Sequence, residues 1–212
     1  MIDEFIRATL ETIYMTFVSG GISIIFGIPL GILLFFLSRS KKSLNRRIYY
    51  FVDFFVNVFR SIPFIILIIL LIPLTKIIIG TIIGPNSAIV ALSIAAIPFM
   101  GRLAENSFNN LSQGLIDTAT VLGMNKRQFV FKILIPESLA DIISGITLLL
   151  INLITFTAIA GAVGAGGLGA MAINYGYQRF RWDILWLDVI ILIFITQLIQ
   201  YYGNKLSKSL RK

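Results

Sequence analysis

The sequence predicts an all-α, polytopic membrane protein with five transmembrane helices, its N-terminus outside and its C-terminus inside. Three observations carry this reading. First, 57% of the 212 residues are hydrophobic and only 13% are charged, with a mean hydropathy of +0.91. Soluble domains are about 45–50% apolar and about 25% charged, so the bilayer must be part of the solvent. Second, apolar windows recur at the roughly 20 residues that cross a hydrocarbon core of about 30 Å. Third, the basic residues are sided. Arg39, Lys41, Lys42, Arg46 and Arg47 follow the first window. Arg102, Lys126, Arg127 and Lys132 lie between the third and fourth, and Lys205, Lys208, Arg211 and Lys212 end the chain. An excess of Lys and Arg marks the cytosolic side, and an odd number of spans agrees, since it puts the two termini on opposite sides.

The windows fall at about 14–37, 49–74, 87–101, 139–163 and 184–199, the third being the weakest. Helices are expected, because lipid cannot satisfy free backbone groups and unbroken apolar runs are not barrel strands. The chain reads as a single transmembrane domain, 1–212, with no low-complexity linker. Residues 3–12 read as a short helix on the outer face. The start Met1-Ile2-Asp3-Glu4 is acidic and the first apolar stretch is of span length, so that stretch is expected to be a span and not a cleaved signal. Residues 80–86, rich in glycine and without charge, form a turn. The Gly-rich link before the fifth span ends in Tyr175, Tyr177, Trp182 and Trp186, an aromatic belt at the outer interface; Tyr201 and Tyr202 fit the inner one. Gly27-Ile28-Pro29-Leu30-Gly31 offers a small-residue packing face in the first span.

Composition excludes several chemistries. The chain has no cysteine and no histidine, so thiol chemistry, disulfides and His-based metal or acid–base sites are out, and no metal is expected. The net charge of +8 reads as topology and contact with anionic lipid. It does not read as nucleic-acid binding, since no separate soluble basic domain exists.

The informative segment is a polar island at about 102–137 between two apolar stretches. Residues 111–122 suit a short amphipathic helix with Leu115, Ala119 and Leu122 at helical spacing. Gly123 suits a left-handed C-cap, and Asn125 can N-cap a second helix to about residue 133. Pro136 fits the first turn of the fourth span, where a missing N–H does no harm. The product is a helix–turn–helix at the inner membrane face, continuous with a span and able to transmit force.

Asp117-Thr118-Ala119, Gly123, Ile133, Ile135 and Pro136 reproduce the spacing of the cytoplasmic coupling loop of bacterial ABC importer permeases. The family pattern there is Glu-Ala-Ala, then Gly, Ile and Leu-Pro, so Asp, Thr and Ile are departures. Arg60-Ser61-Ile62-Pro63-Phe64-Ile65-Ile66-Leu67 resembles the second-span signature of amino-acid importer permeases. The run from Ala160 to Gly169, with Asn174-Tyr175-Gly176-Tyr177 after it, resembles the methionine importers of that family. The resemblance implies a type I ABC importer transmembrane fold and a multi-pass subunit of the bacterial cytoplasmic membrane. It implies a second copy of the chain, two separate ABC ATPase subunits that bind ATP and Mg, and a lipid-anchored substrate-binding protein outside. It further implies that residues 117–123 sit in a groove of the ATPase, and that ATPase closure rocks the spans.

Three further features bear on function. Arg60 is an ionisable group within a span; such groups are costly and face a cavity or a partner, which suits a pathway or conformational-lock residue or a contact to carbonyls near Pro63. Ala158, Ile159 and Ala160 are candidates for an apolar gate that closes a pore by dewetting between two copies, with plain helix packing as the alternative. Gly164, Gly166 and Gly169, with Gly167 between them, formally match a dinucleotide fingerprint. They follow a membrane helix rather than a strand, however, and fall on the outer side, so they read as a flexible or closely packed outer turn. No Walker A pattern occurs, and ATP hydrolysis is expected on another polypeptide, so the chain is not an enzyme. Alternatives are an ABC permease for another small nutrient such as a polar amino acid or dipeptide, a stand-alone secondary carrier, and an intramembrane enzyme. The carrier lacks an internal repeat and an acid relay. The enzyme lacks His, Cys and paired carboxylates within a span.

Overall fold

A computed structural model describes residues 2–211, and the described residues form a bundle of helices. The first helix, α1 (Ile2–Ser38), runs 37 residues without a break. The separate N-terminal helix expected at 3–12 is therefore the first three turns of α1. Gly27 and Gly31 let α1 lie directly against α5 (Pro85–Asn109). A Cβ on Gly27 would fall 2.6 Å from Met100 Cβ, and one on Gly31 would fall 2.6 Å from Ala104 Cβ. Only glycine permits that approach, as small-residue membrane interfaces require.

The second window is not one span-length helix. It divides into α2 (Ser43–Ser61), α3 (Phe64–Leu70) and α4 (Ile72–Ile79), with a 104° bend between α2 and α3. The cause is Pro63, which disfavours helical backbone at the residue before it; Ile62 is accordingly extended at φ −77°, ψ 124°. Val56 is the one fully buried side chain of α2.

Helix α5 continues past residue 101, so the polar island begins as the basic end of a span. After a three-residue link comes α6 (Gln113–Val121). Then α7 (Lys126–Phe129), a wide-turn segment at Val130–Leu134 and α8 (Ile135–Gly161) run on as one helix, Lys126–Gly161. The helix begins at Lys126, 13 residues ahead of the apolar window that starts at about 139. Pro136 lies inside that run, where the widened turn, with Ile135 N–H bonded to Val130 O, accommodates the absent donor. A short helix α9 (Gly167–Met171) and a second wide turn at Ala172–Tyr177 lead to α10 (Trp182–Leu210), longer at both ends than the 184–199 window.

Among the described residues, four helical runs are long and apolar enough to cross a membrane: Ile2–Ser38, Pro85–Asn109, Lys126–Gly161 and Trp182–Leu210. The bent pair α2 and α3 adds a fifth if counted as one span.

Candidate functional site: the coupling segment and its supports

The polar island folds into a helix, a tight turn and the start of a long helix. Helix α6 ends at Val121 because Gly123 takes φ +64°, a left-handed conformation that reverses the chain. Gly123 N–H donates to Thr120 O at 3.0 Å and Met124 N–H to Ala119 O at 3.1 Å. Asn125 then caps α7: its Oδ1 accepts from Gln128 N–H at 2.9 Å, while Gln128 Oε1 accepts from Asn125 N–H at 3.0 Å. This reciprocal capping box satisfies two otherwise unpaired donors.

One face of α6 is held by its own chain. Ala119 is buried, with Ile116 and Met124 packed beside it on the core. Below them Phe35 of α1, Phe108 of α5 and Phe129 of α7 meet: Phe35 packs edge-on to Phe108 at 6.1 Å and stacks on Phe129 at 6.4 Å. Each such pair adds about 0.5–1.5 kcal/mol beyond area burial. Arg39 Nη1 donates to Gln113 Oε1 at 3.4 Å, and Gln113 Nε2 to Asp117 Oδ1 at 2.9 Å. Lys126 Nζ lies 5.5 Å from the Phe36 ring centroid. These contacts put the ends of α1 and α5 and the start of the Lys126–Gly161 run at one basic end of the bundle.

The other face of α6 is open. Asp117, Thr118 and Gly123 are exposed. So are Val121, at 87%, and Leu122, at 65%. Leu122 was expected on the apolar packing face with Leu115 and Ala119. The left-handed turn swings it away, and Ile116 takes the inward place. Ile133 and Ile135 are half-buried, and Pro136 is exposed. The apolar pair Val121 and Leu122 had no signal in the residue pattern beyond their position next to Gly123.

At the opposite end, the glycine run is a closely packed turn. Gly164, Gly166 and Gly167 have φ of +93°, +85° and +74°. Gly167 N–H donates to Glu11 Oε2 at 2.9 Å, and Leu168 N–H to Thr12 Oγ1 at 3.0 Å. Gly84 N–H donates to Gly164 O at 2.9 Å. Gly169 belongs to α9 and faces the backbone of Ala158. The turn therefore ties α1, α5 and α8 together. Glu11 had not been singled out by sequence reasoning.

Arg60 lies in the last turn of α2, exposed beside the bend, with its guanidinium 6.0 Å from the Phe99 ring. It stands at the bend between α2 and α3. Of the three gate candidates, Ala160 is fully buried and Ala158 packs on Gly169, while Ile159 is half-buried.

The comparisons follow the same lines. The family model described as "binding-protein-dependent transport system inner membrane component" matches residues 22–204. The probable D-methionine transport system permease of Pasteurella multocida is 42% identical over 201 residues, 95% of this chain and 93% of that protein. The methionine import system permease of Bacillus subtilis is 42% identical over 209 residues, 99% of this chain and 94% of that one. Among solved structures, a chain of the MetNI methionine ABC transporter in inward-facing conformations superposes with a TM-score of 0.96 at 38% identity. The match covers 100% of this chain and 98% of that one. With the match running from α1 through α10, the chain belongs to the binding-protein-dependent transport system inner membrane component family, the membrane-embedded permeases of ABC importers.

Proposed function

We infer that this chain is the permease subunit of an ATP-driven methionine importer. It moves substrate inward by alternating access, and the ATP is hydrolysed by a separate subunit. Full-length similarity to a methionine transporter at a TM-score of 0.96 carries the reading, with two methionine permeases at 42% identity beside it. The basic end of the bundle is cytosolic and the membrane is the bacterial cytoplasmic membrane. Two copies assemble with two ABC ATPases and receive substrate from an extracytoplasmic binding lipoprotein.

Asp117, Thr118, Val121, Leu122 and Gly123 form the surface that the ATPase grips, while Ala119, Ile133, Ile135 and Pro136 hold that surface to the spans. ATP-driven closure of the ATPase pair selects one of two bundle arrangements through this element. Ile159 is the apolar gate, Arg60 lines the pathway at the bend, and the Gly164–Gly167 turn fixes the outer mouth.

The test is uptake by proteoliposomes holding the chain with its ATPase and binding protein. ATP-dependent uptake competed by excess methionine, and not by glutamine or dipeptides, is expected. ATP-driven uptake of another solute would discard methionine. Absence of ATP dependence with an active ATPase present would discard the importer.

A further inference from the structure

A charged lattice joins α2 to α5, away from the α6 surface. On α2, Tyr49, Asp53 and Asn57 recur every four residues and so share one face. On α5, Arg102 and Glu105 are one turn apart. The Arg102 guanidinium donates to Asp53 Oδ1 through Nη2, to Glu105 Oε2 through Nη1 at 2.6 Å, and to Asn57 Oδ1 at 3.3 Å. Asn57 Nδ2 donates to Asp53 Oδ2 at 3.0 Å, and Tyr49 OH to Glu105 Oε1 at 3.4 Å. The Glu105 side chain is 3% exposed, and that of Arg102 is 17% exposed. One cation between two acids, with both neutral partners hydrogen-bonded, is a closed set.

Three features show what the lattice does mechanically. Helix α2 buries a single side chain, Val56, so apolar interdigitation holds it weakly. Its far end leads into the 104° bend at Ile62 and Pro63, with Arg60 over the Phe99 ring of α5 at 6.0 Å. Helix α5 ends at Asn109, four residues beyond Glu105, and α6 starts at Gln113. Separating a half-buried ion pair leaves uncompensated charge, which is costly in a low dielectric. At this point α2 and α5 therefore move together.

We propose that this lattice is the joint through which α5, displaced by the coupling segment, carries α2 with it, and that Arg102 is its positioning residue. The proposal rests on the importer reading above. It assigns to Arg102, whose sequence signal was only sidedness, a part in converting ATPase closure into a change of the bend that flanks Arg60.

The experiment uses the full complex in proteoliposomes and measures methionine uptake and binding-protein-stimulated ATP hydrolysis in the same vesicles. Because the chain has no cysteine, a single Ser61→Cys spin label reports the distance between the two α2 helices. Wild type must first show ATP-driven uptake; if it does not, the importer reading fails and not the joint. With that established, Arg102→Gln and Asp53→Asn are expected to keep the ATPase bound. Each should retain ATP hydrolysis within about twofold, lose at least tenfold in uptake per ATP, and abolish the nucleotide-dependent shift of the label. The exchanged pair Asp53→Arg with Arg102→Asp again sets one cation between two acids, and is expected to restore the shift and at least a third of the uptake. Wild-type uptake per ATP in the single variants overturns the joint. So does loss of assembly in the single variants that the exchanged pair fails to repair, since the lattice would then only hold the fold.

Discussion

Gly123 is the position at which the coupling element can be graded by chemistry alone. Its φ of +64° is left-handed, and nothing lies within 4 Å of where a Cβ would stand. Alanine there meets no clash and carries only the backbone cost, about 1–2 kcal/mol for an L-residue. That lowers the ratio of formed to unformed turn by a factor of about 5–30. Asparagine visits this region readily and should cost much less. Proline is of another order. Its ring fixes φ near −65°, and it deletes the N–H that Gly123 donates to Thr120 O at 3.0 Å, so the turn cannot form. In proteoliposomes with the ATPase and binding protein, substrate-stimulated ATP hydrolysis should fall in the order wild type, Asn, Ala, Pro. Gly123→Pro should show only basal hydrolysis while the bundle keeps its thermal midpoint, because the site is exposed. Normal stimulated hydrolysis in Gly123→Pro would refute the assignment of this turn to coupling.

Other expectations can be measured alongside. Leu122→Lys removes an exposed apolar side chain from the proposed grip, where full burial of a leucine contributes about 1.5–3 kcal/mol; capture of the ATPase in a pull-down titration should weaken at least tenfold with no change in the permease's own thermal midpoint. Gly167→Ala combines a φ of +74° with a Cβ 2.7 Å from Thr12 Oγ1, so a loss of about 2–3 kcal/mol should appear as a lowered midpoint. Gly21→Ala, in the interior of α1 with nothing within 4 Å of the new Cβ, should raise the midpoint, by about 0.5–1 kcal/mol in stability. Ile159→Gly should increase passive leak or lower uptake per ATP; unchanged transport would return Ile159 to plain packing.

What the residues revealed in advance was local and periodic. Gly123 and Asn125 signal their turn and cap through backbone chemistry that depends on no distant partner. Gly27 and Gly31 signal close packing because nothing else fits between α1 and α5. One misreading has a plain cause: hydropathy averages over a window and ignores direction. The run 49–74 is apolar throughout, so the bend at Pro63 was hidden although the proline was in view. Pro136 falls in the first turn of α8, as its missing N–H favours, and the wide turn at Val130–Leu134 joins that helix to α7. Leu122 was misplaced because helical spacing was extended one residue past the point where Gly123 ends the helix. The Arg102 lattice and the Glu11 contact to Gly167 join residues 49 and 156 positions apart. Sequence order gives no register for such pairs, so their charges registered only as sidedness.

The arrangement beneath α6 decides how a pull on that helix would spread. Three elements meet there on Phe35, Phe108 and Phe129, and close-packed interiors transmit displacement rather than absorb it. Under the proposed coupling, the ends of α1 and α5 and the short helix α7 (Lys126–Phe129) therefore shift as one body. Compliance must lie where packing is thin or the helix is irregular: the bend at Ile62 and Pro63, and the wide turn at Val130–Leu134. This division separates two kinds of defect. Phe129→Ala removes a buried ring and should cost about 3–5 kcal/mol of stability, so expression and midpoint fall before coupling can be assayed. Substitutions on the open face of α6 should leave both intact and lose only the communication with the ATPase. A Phe129→Ala protein of wild-type stability would mean that the hub is not packed as described, and the rigid-body argument would lose its footing.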